Sequence, residues 1–521
     1  MAAWLNIGEI LRVNAVKFAD KMALKDARRR MTFREYNERS CRLANALLGL
    51  GLRKGDRICV LSYNCLEFME IYAATAKAGI VAVPINWRIS PDDIKYVVNN
   101  SDARALIVGE RFIETVEGIR SGLPGLPPDA FIAISDTPHP GYRSYEGILA
   151  SSSTAEPGVR VAPGDVWIQL YTSGTTGKPK GVVRTHESYI AFYILNAVDY
   201  GFTLNDYGLI VMPLCHVNST FYSFVFTYIG ASVYIHREYN FDAAELLEII
   251  DREKITFTSL IPTHYNLILN APEEARKKFD GSSMKQILCS SAPVRQQTKL
   301  EIMKFFRNAR LFEAYGSTEA GLVTLLRPED QLKKLGSIGK ECCGTDLIKI
   351  LDENKQPVKP GEVGELYSRG PMMFKEYYKM PELTRSSFVG EYFSAGDMAR
   401  VDEDGYYYLV DRKANMIITG GEHVYPSEVE EVISRHPAVF DVAVIGVPHD
   451  KWGEAVKAVV ILKEGMSATE KEIIDFAGKS LASFKKPKSV DFIGPEEMPR
   501  TATGKILHRI LRERYQARMG K

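Results

Sequence analysis

The sequence predicts an α/β protein, with a large N-terminal domain of two α/β sheet subdomains plus a small β-subdomain, and a separate small α+β C-terminal domain. Three observations carry that expectation. Helical and strand patterns alternate from residue 32 to about 109 and again from about 188 to 324, the rhythm of sheets wrapped by helices. After about Pro328 the composition shifts to glycine and short alternating runs. The last ~110 residues, roughly one small domain in size, combine two helix-start patterns with two apolar runs.

In chain order, residues 1–9 read as an amphipathic helix, lacking the basic start and continuous apolar core of a secretory signal. Residues 36–50 are helical, 57–61 strand-like, 68–78 helical and 80–84 strand-like, followed by a helix over 92–100 and a buried strand over 105–108. The turn-rich stretch 151–163 predicts an exposed connection leading to the strand-like run 166–170. In the second series, 232–235 and 257–261 read as strands with a helix over 243–253 between them, and ligands are expected at the strand ends. The most apolar window, 221–235, is shorter than the ~20 residues a membrane-spanning helix needs and is interrupted by Gly230, so it reads as core. Residues 361–370 and 405–410 suggest antiparallel strands. Ser427-Glu428-Val429-Glu430 and Ser467-Ala468-Thr469-Glu470 are capping-box patterns, with strands expected over 442–446 and 458–462.

The 521 residues exceed one hydrophobic core, and 45% apolar with 25% charged content is ordinary for a soluble globular chain. Lys plus Arg number 66 against 65 Asp plus Glu, leaving no positive excess to suggest nucleic acid or an anionic membrane as partner. Seven cysteines without a Cys-x-x-Cys pair argue against a disulfide framework or a zinc site and fit a reducing, cytoplasmic location.

Tyr171-Thr172-Ser173-Gly174-Thr175-Thr176-Gly177-Lys178-Pro179-Lys180-Gly181 combines glycines, hydroxyls and two lysines, the means of holding phosphate. A solvated turn has a similar composition. The spacing is not that of a Walker loop, and Pro179 after Lys178 predicts that the loop does not run straight into a helix.

This loop is similar to the signature of the adenylate-forming enzymes, which include acyl-CoA synthetases, peptide-synthetase adenylation domains and luciferases. Four further stretches follow in the family's order: Tyr315-Gly316-Ser317-Thr318-Glu319, Tyr392-Phe393-Ser394-Ala395-Gly396-Asp397, Asp411-Arg412 through Gly420-Gly421-Glu422, and Pro499-Arg500-Thr501-Ala502-Thr503-Gly504-Lys505-Ile506. The resemblance covers essentially the whole chain and is strongest to free-standing AMP-forming acyl-CoA synthetases. It implies ATP, Mg2+ and CoA: a carboxylate displaces pyrophosphate to give an acyl-adenylate, and a thiol then displaces AMP. Carboxylate and triphosphate are both anionic, so the site must concentrate positive charge.

By this resemblance Lys505 bridges the acyl carboxylate and α-phosphate, Thr318 donates to the α-phosphate, and Glu319, assisted by Thr175, holds magnesium. Thr172, Ser173, Gly174, Thr175, Thr176, Gly177, Lys178 and Lys180 surround the phosphates. Tyr315 offers a face to adenine, with Ser291, Ala292 and Pro293 walling the other side; Glu313, Ala314 and Gly316 also border ATP or AMP, and Asp397 and Arg412 hold the ribose. His216, Asn218, Phe221, Phe224 and Ser290 border the acid, and Gly420, Gly421, Lys485 and Lys486 neighbour CoA. Taken singly, His216 equally describes a core histidine, Lys505 a solvated lysine, and Tyr315 with Glu319 a turn.

The resemblance implies an N-terminal AMP-binding domain over 1–411, a hinge at 412–414 and a mobile domain over 415–521. Two departures stand out: Ala414 occupies the usual charged hinge position, followed by Asn415, and His508 replaces a commoner basic residue. The expected substrate is a compact apolar acid: short- or medium-chain, alicyclic or aryl. A long-chain or carnitine-type ligase, or an enzyme serving a carrier protein, remains the alternative. No carrier domain follows Lys521, no transmembrane segment is expected, and self-association is left open.

Overall fold

A computed structural model describes residues 6–172, 178–237, 241–290, 294, 296–500 and 506–519. The chain divides into two compact units, residues 1–347 with 368–393, and residues 348–367 with 394–521. The short strands preceding residue 411 are thus grouped with the C-terminal residues.

The larger unit holds two large sheets. In the first, Val166–Thr172, Val81–Pro84, Arg57–Leu61, Ala103–Gly109 and Phe131–Ile134 run parallel, and Lys180–Thr185 and Glu376–Tyr377 extend one edge antiparallel. In the second, Arg310–Ser317, Gln286–Ser290, Phe257–Leu260, Tyr207–Ile210, Ser232–Ile235 and Met22–Lys25 are parallel, with Gly321–Leu326 returning antiparallel. Central strands covered by helices are continuous apolar runs, as in Ile58, Cys59, Val60 and Leu61, all fully buried.

The apolar window predicted as core forms the helix Val217–Ile229 and the strand Ser232–Ile235, separated by Gly230. Gly230 ends the helix at φ +80°, and a Cβ there would meet the Phe18 ring at 2.4 Å. Trp167 anchors the core. Its indole N–H donates to the Tyr72 carbonyl at 2.9 Å, and its ring meets Tyr189 at 4.8 Å and Phe224 at 5.1 Å, both edge-on. Among the described residues, no helix is long and apolar enough to cross a membrane.

The smaller unit contains a four-stranded antiparallel sheet, Lys349–Leu351, Gly364–Tyr367, Asp397–Val401 and Tyr407–Arg412. A five-stranded sheet is built around the long pair Val439–His449 and Gly453–Leu462. Both expected capping boxes need correction. The helix Pro426–Ile433 follows Tyr425 with proline in its first turn, and Ser427 lies inside it. The Ser427 amide donates to Asp411 Oδ2 at 2.8 Å and its hydroxyl to the Val410 carbonyl. Proline's preset φ starts this helix without a side-chain cap. The second box begins at Thr469 instead of Ser467, with the Thr469 amide donating to Glu472 Oε2 at 2.7 Å. Both Ser467 and Thr469 stand three residues before a glutamate, and the helix starts at the second of the two patterns, with Thr469 as its cap.

His508 is half-buried against the helix Pro426–Ile433, with Nε2 2.7 Å from Glu430 Oε1. Burial opposes a charge on the imidazole, but the Glu430 contact and the charge of Asp411 outweigh it and hold the pKa above its ordinary value. Protonated His508 therefore stabilises the fold. The contribution is complete below the unfolded-state value of ~6.5 and is lost as pH rises through the folded-state value. His508→Gln should flatten the fall in Tm on the alkaline side of ~6.5; thermal melts with equal slopes in parent and variant would exclude this pair as the cause.

Candidate active site

The phosphate-loop candidate joins two neighbouring antiparallel strands, with Tyr171 opposite Gly181 and Thr172 opposite Lys180. After Pro179 the chain continues as the strand Lys180–Thr185, as its proline predicts. Ser173, Gly174, Thr175, Thr176, Gly177, Ser291, Ala292, Pro293 and Lys505 lie outside the described residues.

Lys178 Nζ stands 5.3 Å from the Tyr96 ring centroid, and Lys180 Nζ stands 4.4 Å from that of Tyr377. Tyr377 belongs to the edge strand Glu376–Tyr377, paired opposite Val182. Its hydroxyl donates to Glu319 Oε1 at 2.9 Å, so it links the basic strand to the candidate magnesium carboxylate.

Thr318 and Glu319 occupy the turn between Arg310–Ser317 and Gly321–Leu326. Glycine is required at both ends of this turn. A Cβ on Gly316 would lie 2.1 Å from the Gly321 carbonyl oxygen, and Gly321 has φ +78° with the Met372 carbonyl oxygen 2.9 Å from its Cβ position. The Phe374 amide donates to the Glu319 carbonyl at 2.6 Å, and Arg184 Nη1 donates to the Thr318 carbonyl at 2.7 Å. Glu319 is 8% exposed, and among the described residues no cationic side chain forms an ion pair with it. The buried Arg184 guanidinium acts on this carboxylate only through space, and hard carboxylate oxygens suit a divalent cation; Glu319 therefore fits magnesium.

Ala314 and Tyr315 are half-buried on the strand Arg310–Ser317. Burial pushes the Glu313 carboxyl up, against the attraction of buried Lys299, with which it forms an ion pair. The Glu313 side chain is thus occupied by Lys299.

His216 caps the helix Val217–Ile229, its Nδ1 accepting from the Asn218 amide at 3.3 Å. Asn218 Nδ2 donates to Ser259 Oγ at 2.9 Å and Ser290 Oγ at 3.0 Å, at the carboxyl ends of Phe257–Leu260 and Gln286–Ser290. Phe221 lies flat on Phe192, centroids 3.8 Å apart. Phe224, expected beside the acid, instead packs against Trp167 and Tyr72 in the core.

In the smaller unit, Asp397 and Arg412 face each other across two strands, with Arg412 Nε donating to Asp397 Oδ1 at 3.1 Å. This fixes the carboxylate while leaving acceptor capacity for hydroxyl protons. Gly420 and Gly421, at φ +59° and +87°, form the tight turn between Ile417–Thr419 and Glu422–Val424. Lys485 Nζ is held by both oxygens of Glu428 at 2.8 and 2.7 Å, which offsets its charge toward a phosphate. Lys486, half-buried nearby, has its amide bonded to the Ala482 carbonyl. Sequence reasoning missed Arg184, Tyr377 and Ser259. Their only advance signal is proximity to motifs in sequence for Arg184 and strand-end placement for Ser259.

Residues 11–378 match the AMP-binding enzyme family and residues 428–505 its C-terminal domain, so the chain belongs to the AMP-binding enzyme family. It is 34% identical over 523 residues to the long-chain-fatty-acid–CoA ligase FadD13 of Mycobacterium tuberculosis, covering 99% of this chain and 100% of that one. It is also 34% identical to a feruloyl-CoA synthase of Amycolatopsis, covering 93% and 94% of the two chains. The anthranilate CoA ligase AuaEII, solved with anthranoyl-AMP, superposes with a TM-score of 0.91 at 30% identity, covering 100% of this chain and 99% of that one. The protein is an AMP-forming acyl-CoA synthetase, an acid–thiol ligase whose substrates include ATP and CoA.

Proposed function

We propose that the enzyme activates a compact apolar carboxylic acid, short- or medium-chain, alicyclic or aryl. The observation that carries this reading is the Phe221–Phe192 stack at 3.8 Å on a helix buried through most of its length. A long chain following that wall would have to part a stacked pair worth about 0.5–1.5 kcal/mol beyond its buried area. FadD13, by its name, acts on long-chain fatty acids, which makes a long acid the second reading. AMP formation with ATP, CoA and acids of graded length tests both: a steady rise in kcat/KM beyond medium chains would overturn the compact-acid reading.

In this reading an acid carboxylate oxygen bonds to the α-phosphorus as the bond to pyrophosphate breaks. The CoA sulfur then bonds to the acyl carbon as the bond to AMP breaks. Asn218, Ser259 and Ser290 form the polar end of the acid site, beside His216. Thr318, Lys178, Lys180 and the loop hydroxyls position the phosphates, Tyr315 faces adenine, and Asp397 with Arg412 takes the ribose. Glu319, oriented by Tyr377, holds Mg2+, which when bound neutralises phosphate charge. Residues 412–414 serve as the hinge between domains over 1–411 and 415–521. Gly420, Gly421, Lys485 and Lys486 border CoA, Lys485 the more weakly because Glu428 holds it.

Glu319→Gln is expected to raise the magnesium half-saturation for adenylation about tenfold, since an amide binds a hard cation less well than a carboxylate. Magnesium titration of pyrophosphate release is the check; an unchanged constant in a folded variant removes Glu319 from the metal site.

A further inference from the structure

Arg184 is fully buried in the strand Lys180–Thr185, and among the described residues no acidic side chain pairs with it. Its neighbours Val182 and Val183 show what that strand accepts as packing. Burial opposes the charge on this guanidinium and the Glu319 carboxylate offsets that cost only in part, so an apolar side chain would serve the fold at lower cost. What the charge gains instead is a specific set of contacts. Nη1 donates to the Thr318 carbonyl at 2.7 Å and Nη2 to the Met372 carbonyl, while Nε has no partner.

Both carbonyls belong to segments that fix Glu319. Thr318 immediately precedes it, and Met372 lies just before Phe374, whose amide holds the Glu319 carbonyl at 2.6 Å. The guanidinium carbon is also 4.9 Å from the Phe221 centroid and 5.0 Å from that of Tyr189. Phe221 borders the proposed acid site, and its ring also stacks on Phe192. One rigid planar group therefore touches the aromatic wall of the acid site and the turn carrying the proposed metal carboxylate.

We propose that Arg184 is a positioning residue that couples the acid site to the Thr318–Glu319 turn, so that seating the acid against Phe221 sets the geometry of the metal-binding carboxylate. The inference rests on the reading of Glu319 as the magnesium ligand. A lysine at 184 keeps the charge but cannot bridge two carbonyls with a fixed fork. Arg184→Lys should therefore lower kcat/KM for adenylation about tenfold or more. The magnesium half-saturation and the acid KM should both rise, while CoA attack on a supplied acyl-adenylate stays unchanged.

The decisive measurement is a double-mutant cycle on the magnesium constant, using the full chain and magnesium chloride in the pyrophosphate-release assay. Phe221→Leu should raise the magnesium half-saturation in the parent and have no such effect in the Arg184→Lys background. Additive effects, or a lowered Tm with unchanged magnesium and acid constants, would overturn the proposal and leave Arg184 a structural residue. If Arg184 variants do not fold, Phe221→Leu alone decides, since an unchanged magnesium constant in it removes the coupling. Glu319→Gln separates the two readings. No magnesium effect there overturns the site assignment itself, whereas an effect in Glu319→Gln with none in Arg184→Lys overturns this inference alone.

Discussion

Replacing Lys505 by alanine is expected to lower acyl-adenylate formation by at least about 10²–10³-fold while largely sparing CoA attack on a supplied adenylate. In the first half-reaction the carboxylate and the α-phosphate bring negative charge together, and a lysine ammonium placed between them lowers that repulsion. In the second, a thiol attacks an acyl carbon and AMP departs, so the same charge is not required. Arg500 and Ile506, on either side of Lys505 in sequence, form an antiparallel bridge. The two half-reactions must be followed separately, by pyrophosphate release and by thioester formation from synthetic adenylate. Equal losses in both would show that Lys505 supports a shared site or the fold.

Ala414→Pro should change the ratio of the two half-reactions. Lys413, Ala414 and Asn415 form one turn of 3-10 helix, with Ala414 exposed. Arg512 clasps this turn, its Nη1 donating to the Ala414 carbonyl at 3.2 Å and its Nη2 to the Asn415 carbonyl at 3.3 Å. Asn415 Nδ2 in turn donates to Asp411 Oδ1 at 3.2 Å. Neutral Ala414 and Asn415 are thus held through their main-chain carbonyls by an arginine. Proline would fix φ near −65° at residue 414 and push Lys413 away from helical dihedrals, removing the freedom that a rotation needs. One half-reaction should then fall far more than the other. A ratio within about twofold of the parent, equivalent to ~0.4 kcal/mol, would reject residue 414 as the hinge.

Elements whose pattern is local were legible in the sequence. The strands Arg57–Leu61 and Ser232–Ile235 and the helix Ala243–Glu253 occupy the predicted residues, because unbroken apolar runs and a 3.6-residue period specify them without distant help. Gly316 was legible as part of a motif, but its companion Gly321 becomes necessary only when the Met372 carbonyl arrives from far along the chain. The helix caps expected at Ser427 and Ser467 each lie two residues away, at Tyr425 and Thr469, since composition does not rank competing caps. Arg184 and Tyr377 were illegible for a different reason. Arg184 meets Thr318 across 134 residues, and Tyr377 meets Glu319 across 58, so neither contact leaves a periodic or spaced trace.

The placement of Met22–Lys25 has a consequence for how the chain is made. This strand lies in the second sheet between Arg30–Thr32 and Ser232–Ile235, with Leu24 opposite Val233. On the ribosome it must therefore wait for roughly 200 further residues, about 10–40 s at ~5–20 residues per second. During that interval its edge and the apolar faces of Ala23 and Leu24 stay uncovered, while Arg57–Leu61 and Ala103–Gly109 can already pair nearby. Met22–Lys25 can pair at once with Arg30–Thr32 but waits for its second partner, which leaves one edge of the nascent chain's first strand unpaired through that interval.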